Sequence, residues 1–298
     1  MNDTRTGLIA ALLAYTAWGF FPLYFIALRD TSANEIFSHR ILWAVPVGAL
    51  IIWARSQGKE VIKGLQTPQI LLPLALTAVL VGANWLIYIV AVHRGQIFEA
   101  SLGYYINPLM YMLVGILFLG EPMRRPQLIA IGCAALGVLV LTVYGGKLPV
   151  IALFLATSFT IYGLIRKQLS IGAMPGLFIE TLILAPFAGL YLWWLIHTTD
   201  TSIETASFAK GALLAFAGPA TVLPLLMFAI AARRLTLASL GFLQFIGPSI
   251  QFVIGLLDGE AFTLAHQICF GLIWSAAALF AWDAWYHAKK TKASLAKI

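Results

Sequence analysis

Apolar residues run in blocks of about 20 along almost the whole chain, with short polar breaks between them. Coiled as a helix, a block of that length spans ~30 Å, the thickness of the hydrocarbon layer of a bilayer. Ten blocks can be drawn, at roughly 7–28, 35–54, 70–91, 100–119, 127–145, 149–165, 176–196, 209–230, 238–257 and 264–285. The loops that remain are too short to hold a separate soluble domain. The pattern therefore predicts an all-α integral membrane protein of ten transmembrane helices. The first block is too long for the apolar core of a cleavable signal peptide, and no small-residue cleavage site follows it.

The pattern also repeats. Ala100-Ser101-Leu102-Gly103 returns as Ala238-Ser239-Leu240-Gly241, and Pro108, Gly115 and Gly120-Glu121 return as Pro248, Gly255 and Gly259-Glu260, at offsets of 138 to 140. Leu42, Pro46, Leu50 and Trp53 match Leu182, Pro186, Leu190 and Trp193, and Thr16-Ala17-Trp18-Gly19 matches Thr160-Ile161-Tyr162-Gly163. The expected organisation is one transmembrane domain made of two five-helix repeats, 1–146 and 147–298. Five is odd, so the second copy enters the membrane from the opposite side. Inverted repeats of this kind build one central site that can open to either face.

Composition and charge sharpen this reading. Apolar residues make up 61% and charged residues 10% of the 298, too much apolar surface for a soluble core. The net charge of +7 would suit a nucleic-acid partner, but its placement does not. Along an alternating ten-helix path, 14 of the 19 Lys and Arg fall on the side of Arg5, Arg124-Arg125 and Lys289-Lys290. The positive-inside rule then puts both termini in the cytoplasm. Cys133 and Cys269 lie in apolar runs and read as small hydrophobes. No metal spacing, nucleotide loop or cofactor motif is present, so no cofactor and no nucleic acid are expected.

Polar groups at membrane depth are the candidate chemistry, because they are costly there and usually functional. Arg40, with His39 beside it, lies two turns into the second helix. The offset that aligns Pro46 with Pro186 aligns Arg40 with Glu180 in the seventh. The two halves thus offer unlike charges at matched positions. Glu99 opens the fourth helix, Asn84 and Trp85 sit in the third, Tyr104 and Asn107 precede Pro108, and Gln244 precedes Pro248. Trp18 and Tyr162 occupy matched places in the first and sixth. Together these eleven are the candidate substrate-binding residues. Plainer roles exist for each: helix capping for Glu99, snorkelling for the charges, space filling for Trp18, and for the amides helix–helix hydrogen bonds worth ~0.6 kcal/mol. Prolines mark the first four helices of each half except the sixth, and none falls within the fifth or tenth. The fifth and tenth are therefore expected at the periphery, away from a central cavity.

Several motifs carry a resemblance: Trp18-Gly19 with Pro22, His39-Arg40, Gly82-Ala83-Asn84-Trp85, Glu99-Ala100-Ser101-Leu102-Gly103-Tyr104 with Asn107-Pro108, Gly120-Glu121 with Arg124-Arg125, Tyr162-Gly163 with Arg166-Lys167, Ile179-Glu180-Thr181, and Gln244 with Gly247-Pro248. Over nearly its whole length the chain resembles the EamA family of the drug/metabolite transporter superfamily. It departs at Gly82-Ala83, where two glycines would be expected. The resemblance implies an inner-membrane permease of ten helices in inverted repeats. Its cargo would be a small organic metabolite, amino-acid-like, or a drug such as chloramphenicol. The expected partners are that small molecule, the lipid bilayer and a coupling proton, with the protein a monomer. A membrane-embedded enzyme would need clustered catalytic groups near one interface, and a passive scaffold would have no use for so many Pro-bearing helices.

Overall fold

In the computed structural model the described residues are 2–119, 124–198, 207–235 and 237–295. Their regular structure is helical throughout: α1 Asn2–Gly19, α2 Phe21–Ile26, α3 Ala33–Ala54, α4 Gly58–Gln66, α5 Pro68–His93, α6 Ile97–Leu119, α7 Arg125–Gly145, α8 Val150–Gln168, α9 Ala173–Thr198, α10 Phe208–Ala232, α11 Leu237–Leu243, α12 Ile246–Leu257 and α13 Leu264–Leu295. Eight stretches are long and apolar enough to cross a bilayer: Asp3–Ile26, α3, α5, α7, α8, α9, α10 and Leu264–Asp283 within α13. The block expected at 100–119 is α6, of 23 residues. The block expected at 238–257 is not one rod but α11 and α12, parted at Gln244 and Phe245.

Proline bears on these boundaries unevenly. Pro22 stands in the first turn of α2, just after α1 stops, and Pro248 falls in the first turn of α12. There a missing N–H costs nothing, because first-turn N–H groups have no helical acceptor. Pro46, Pro73, Pro108, Pro186, Pro219 and Pro224 lie inside continuous helices. α7 and α12 end at glycines with left-handed backbone, Gly146 at φ 71° and Gly259 at φ 82°, where any other residue would be strained.

Eight of the long elements close a ring by their contacts: α1 on α10, α10 on α3, α3 on α9, α9 on α5, α5 on α8, α8 on α6, α6 on α12, and α12 back on α1. α7 and α13 pack mainly on each other and meet the rest chiefly through α6 and α11. Small residues set the close approaches. A Cβ at Gly218 of α10 would stand 2.2 Å from the Trp43 carbonyl oxygen of α3, and one at Gly103 of α6 would stand 2.8 Å from that of Ala152 of α8. Backbone-to-backbone contact of this kind is how helices associate where lipid removes the hydrophobic drive.

Candidate functional site

α3 starts cleanly, because Ser32 accepts the Glu35 N–H and caps it. Two turns on, Arg40 points into the ring and is 5% exposed. Its Nε donates to Thr221 Oγ1 of α10 at 2.7 Å. The guanidinium carbon lies 4.3 Å from the Trp85 ring centre and 5.4 Å from that of Phe21. The phenols of Tyr104, Tyr24 and Tyr88 surround it as neutral dipoles. Among the described residues, ion pairs join Arg29 to Asp258, Arg124 to Asp283, Arg166 to Glu180, Lys210 to Asp30 and Arg234 to Asp3, and Arg40 belongs to none of these. Arg40 is thus a buried cation seated on aromatic faces, with no carboxylate ion-paired to it among the described residues. Cation–π attraction of ~2 kcal/mol offsets only part of the cost of removing the charge from water.

Glu180 is fully buried and has the opposite character. It accepts from Thr77 of α5 at 2.7 Å and from the Tyr162 hydroxyl of α8 at 3.3 Å. Arg166 Nε stands 3.7 Å from it. The Arg166 Nη2 also donates to the Gly172 and Ala173 carbonyls, both at 3.2 Å, which closes the turn between α8 and α9. Glycine at 176 makes the room, since a Cβ there would lie 1.9 Å from Arg166 Nη1. The two charges therefore have matched settings. Each bonds a threonine of a neighbouring helix, Arg40 to Thr221 of α10 and Glu180 to Thr77 of α5.

The other expected residues divide. Trp85 and Tyr104 join Arg40, and Tyr162 joins Glu180. Asn84 spends its amide N–H groups on Leu155 O at 3.0 Å and Ser158 Oγ at 2.9 Å, which ties α5 to α8. Asn107 is fully buried with both amide atoms unpaired, and the half-buried His39 has an unpaired Nε2. The Glu99 carboxylate lies near the Ile151 N–H at the start of α8. Trp18 packs 5.7 Å from Tyr15 and 5.9 Å from Phe228, ring centre to ring centre. Gln244 is half-buried at the break between α11 and α12. None of these six bonds to Arg40 or Glu180.

Sequence reasoning passed over Thr77, Thr221 and Arg166. Arg166 fitted the positive-inside rule too well to be noticed as a partner. The threonines are short, and only the contacts show that each serves a charge. Away from both charges, a groove of about 420 Å³ runs between α6, α11, α12 and α13 and is lined by Tyr105, Phe245, Ser249, Phe252 and Trp274 among others. In the α12–α13 turn, Glu260 accepts the Phe98 N–H at 2.9 Å and so caps α6. Burial pushes its carboxyl up to about 7. No cluster among the described residues could hold a metal ion.

The comparisons agree with this architecture. Residues 5–143 match the EamA-like transporter family. An uncharacterized transporter of Vibrio cholerae is 45% identical over 283 residues, covering 95% of this chain and 94% of that protein. Protein RarD of Escherichia coli is 41% identical over 291 residues, covering 97% and 98%. A solved structure titled "Crystal structure of protein" superposes with a TM-score of 0.62 over 94% of this chain and 98% of that one, at 16% identity, and so supports the fold alone. With likeness at this level over nearly its whole length, the chain belongs to the EamA-like transporter family.

Proposed function

We propose that the protein is a secondary transporter of the bacterial inner membrane that moves a small organic metabolite by alternating access, with Arg40 as the anion-binding end of its site. The observation that carries this is the buried Arg40 guanidinium, which takes part in none of the ion pairs given by the described residues. A ligand carboxylate or phosphate would complete it through two parallel hydrogen bonds. Glu180 is the other end. An amino-acid-like zwitterion would satisfy both charges, its ammonium displacing Arg166 from Glu180. That exchange would open the Arg166 end of the site while the ligand neutralises the Arg40 end. Glu180 also offers a carboxylate for a coupling proton.

Two features support ten helices in inverted repeats, 1–146 and 147–298. In the proposed arrangement the spans in order are α1 with α2, α3, α5, α6, α7, then α8, α9, α10, α11 with α12, and α13. Exchanging the halves turns α1 on α10 into α8 on α5, α3 on α10 into α9 on α5, and α8 on α6 into α1 on α12. The remaining pairs of the ring, α3 with α9 and α6 with α12, map onto themselves, as does α7 with α13. The threonine partners of Arg40 and Glu180 obey the same exchange. Both termini are placed in the cytoplasm, so cysteines introduced at Glu60 and Thr291 should be labelled from that side alone.

The test is flux. A stabilisation screen of the purified protein against metabolites supplies the substrate, because a ligand that binds the folded form raises its melting temperature. Arg40→Gln and Glu180→Gln should then each abolish uptake of that substrate into sealed vesicles while leaving expression and folding intact. Near-normal flux in either variant would rule out the two-ended site.

A further inference from the structure

α4 stands apart from the other helices of the described residues. It is nine residues long, joins α3 to α5, and its flanking helices are both membrane spans. It must therefore lie at the bilayer surface on the side where those spans end. Its sequence, Gly58-Lys59-Glu60-Val61-Ile62-Lys63-Gly64-Leu65-Gln66, sorts into three faces at about 100° per residue. Val61 and Gly64 are buried against α9. Glycine is needed there, since a Cβ at 64 would stand 2.6 Å from Ile179 Cδ1. Ile62 and Leu65 form a second, exposed apolar face, 55% and 41% accessible. Lys59 and Lys63 form a third, exposed face, with Arg55 at the preceding turn.

That order of protein, apolar and cationic faces is the one an interfacial helix presents to lipid. The polar flank is not free-standing. Glu60 Oε1 accepts the Gly172 N–H at 2.6 Å. Gly172 is also the residue whose carbonyl Arg166 holds at 3.2 Å, and Arg166 is the partner of Glu180. A chain of contacts thus leads from the membrane surface to the buried carboxylate. We propose that α4 is a membrane-surface helix that docks anionic lipid headgroups and, through Glu60, fastens the α8–α9 turn that holds Arg166 against Glu180.

The charge argues for this occupant. Three exposed cations, Arg55, Lys59 and Lys63, stand beside one carboxylate, Glu60, that is already engaged. The apolar stripe next to them suits acyl chains. Each cation near an anionic membrane surface contributes about fivefold in affinity, so the three together bound the effect at about a hundredfold. The proposal does not depend on the transported substrate.

The test is amide hydrogen exchange on the full chain in nanodiscs of phosphatidylcholine alone or mixed equally with phosphatidylglycerol. In the anionic lipid the amides of α4 and of Gly172 should exchange about tenfold more slowly. Lys59→Gln with Lys63→Gln should remove most of that difference while the spans keep their protection. Glu60→Gln should keep the response of α4 and lose that of Gly172. Equal exchange in the two lipids would overturn the docking, and so would a full response in the double variant. Slowing by inorganic phosphate in detergent would mark a free-anion site instead, and slowing that depends on protein concentration in detergent would mark a second copy. A Gly172 response that survives Glu60→Gln would overturn the fastening.

Discussion

Thr221→Val removes one hydroxyl and keeps the shape of the side chain, which makes it a clean test of whether Arg40 depends on Thr221. The bond at stake is Nε–H to Oγ1 at 2.7 Å, between residues 5% and 1% exposed. A hydrogen bond to a charged group is worth ~1.5–3 kcal/mol, and at this burial water cannot replace it. The stacking of Arg40 on Trp85 remains in the variant, and the second bond of Thr221, to the Ala217 carbonyl, lies within its own helix and is dispensable. The expected cost is therefore ~1.5–3 kcal/mol of folding stability. Thr77→Val, the matched change, should cost less, near ~1 kcal/mol, because Glu180 keeps Tyr162 and Arg166. Both can be read from equilibrium unfolding in mixed micelles. A cycle with Arg40→Met isolates the pair: in that background Thr221→Val should cost under ~0.5 kcal/mol. A Thr221→Val protein as stable as the parent, or one destabilised equally with and without Arg40, would refute the reasoning.

Other substitutions test the scaffold. Gly218→Ala would set a Cβ 2.2 Å from the Trp43 carbonyl oxygen, so α10 and α3 must part; a loss of ~2 kcal/mol or more in the same unfolding assay is expected, with Gly211→Ala, where a Cβ meets nothing within 4 Å, as the neutral control. Asn84→Leu should cost ~0.6–1.7 kcal/mol, the range for interhelical hydrogen bonds in membranes, since both of its N–H bonds run from α5 to α8. Glu260 should give a pH signature. Its carboxyl, at about 7 against an ordinary 4.5, holds a proton that the unfolded chain has already released between those values. Its contribution is full below about pH 4.5 and is lost as pH rises through about 7. The parent should therefore lose stability across that window relative to Glu260→Gln, and parallel pH profiles would count against it.

Much of this was legible in the sequence because the bilayer limits the options. Backbone groups in hydrocarbon must be satisfied within helices, so an apolar block of about 20 residues has one reading. The eight long spans fall where that rule puts them. What escaped it was local. α4 carries too many charges to register as apolar, yet its spacing is amphipathic. The break at Gln244 and Phe245 sits inside an unbroken apolar run, and hydropathy cannot see it. The settings of the charges were hidden for a related reason. Matching Arg40 to Glu180 needed only the offset, whereas pairing Arg166 with Glu180 depends on how the α8–α9 turn folds back, which no periodicity encodes. Asn84 was legible as inward-facing but not as a tie, because a buried amide can serve a cavity or a neighbouring helix equally well.

In the proposed inverted arrangement, the two threonines mark where the halves stay alike and where they part. Thr77 and Thr221 present the same hydroxyl to positions 180 and 40, so the supporting contact persists although the charge it supports has reversed. Two like charges at the ends of the proposed site would repel each other or demand a doubly charged ligand. Unlike charges give the site a polarity, which a zwitterion can match without leaving either end bare. The ends then differ in what they need. Glu180 has Arg166 to neutralise it, and the empty site is stable at that end. Arg40 has aromatic faces and one hydroxyl, and the empty site is costly there. An anion arriving at Arg40 relieves that cost, and an ammonium arriving at Glu180 competes with Arg166. At the proposed two-ended site, binding would thus begin at the underpaired cation and be completed at the carboxylate by breaking the Arg166–Glu180 ion pair, so that the substrate frees the same arginine whose Nη2 closes the α8–α9 turn.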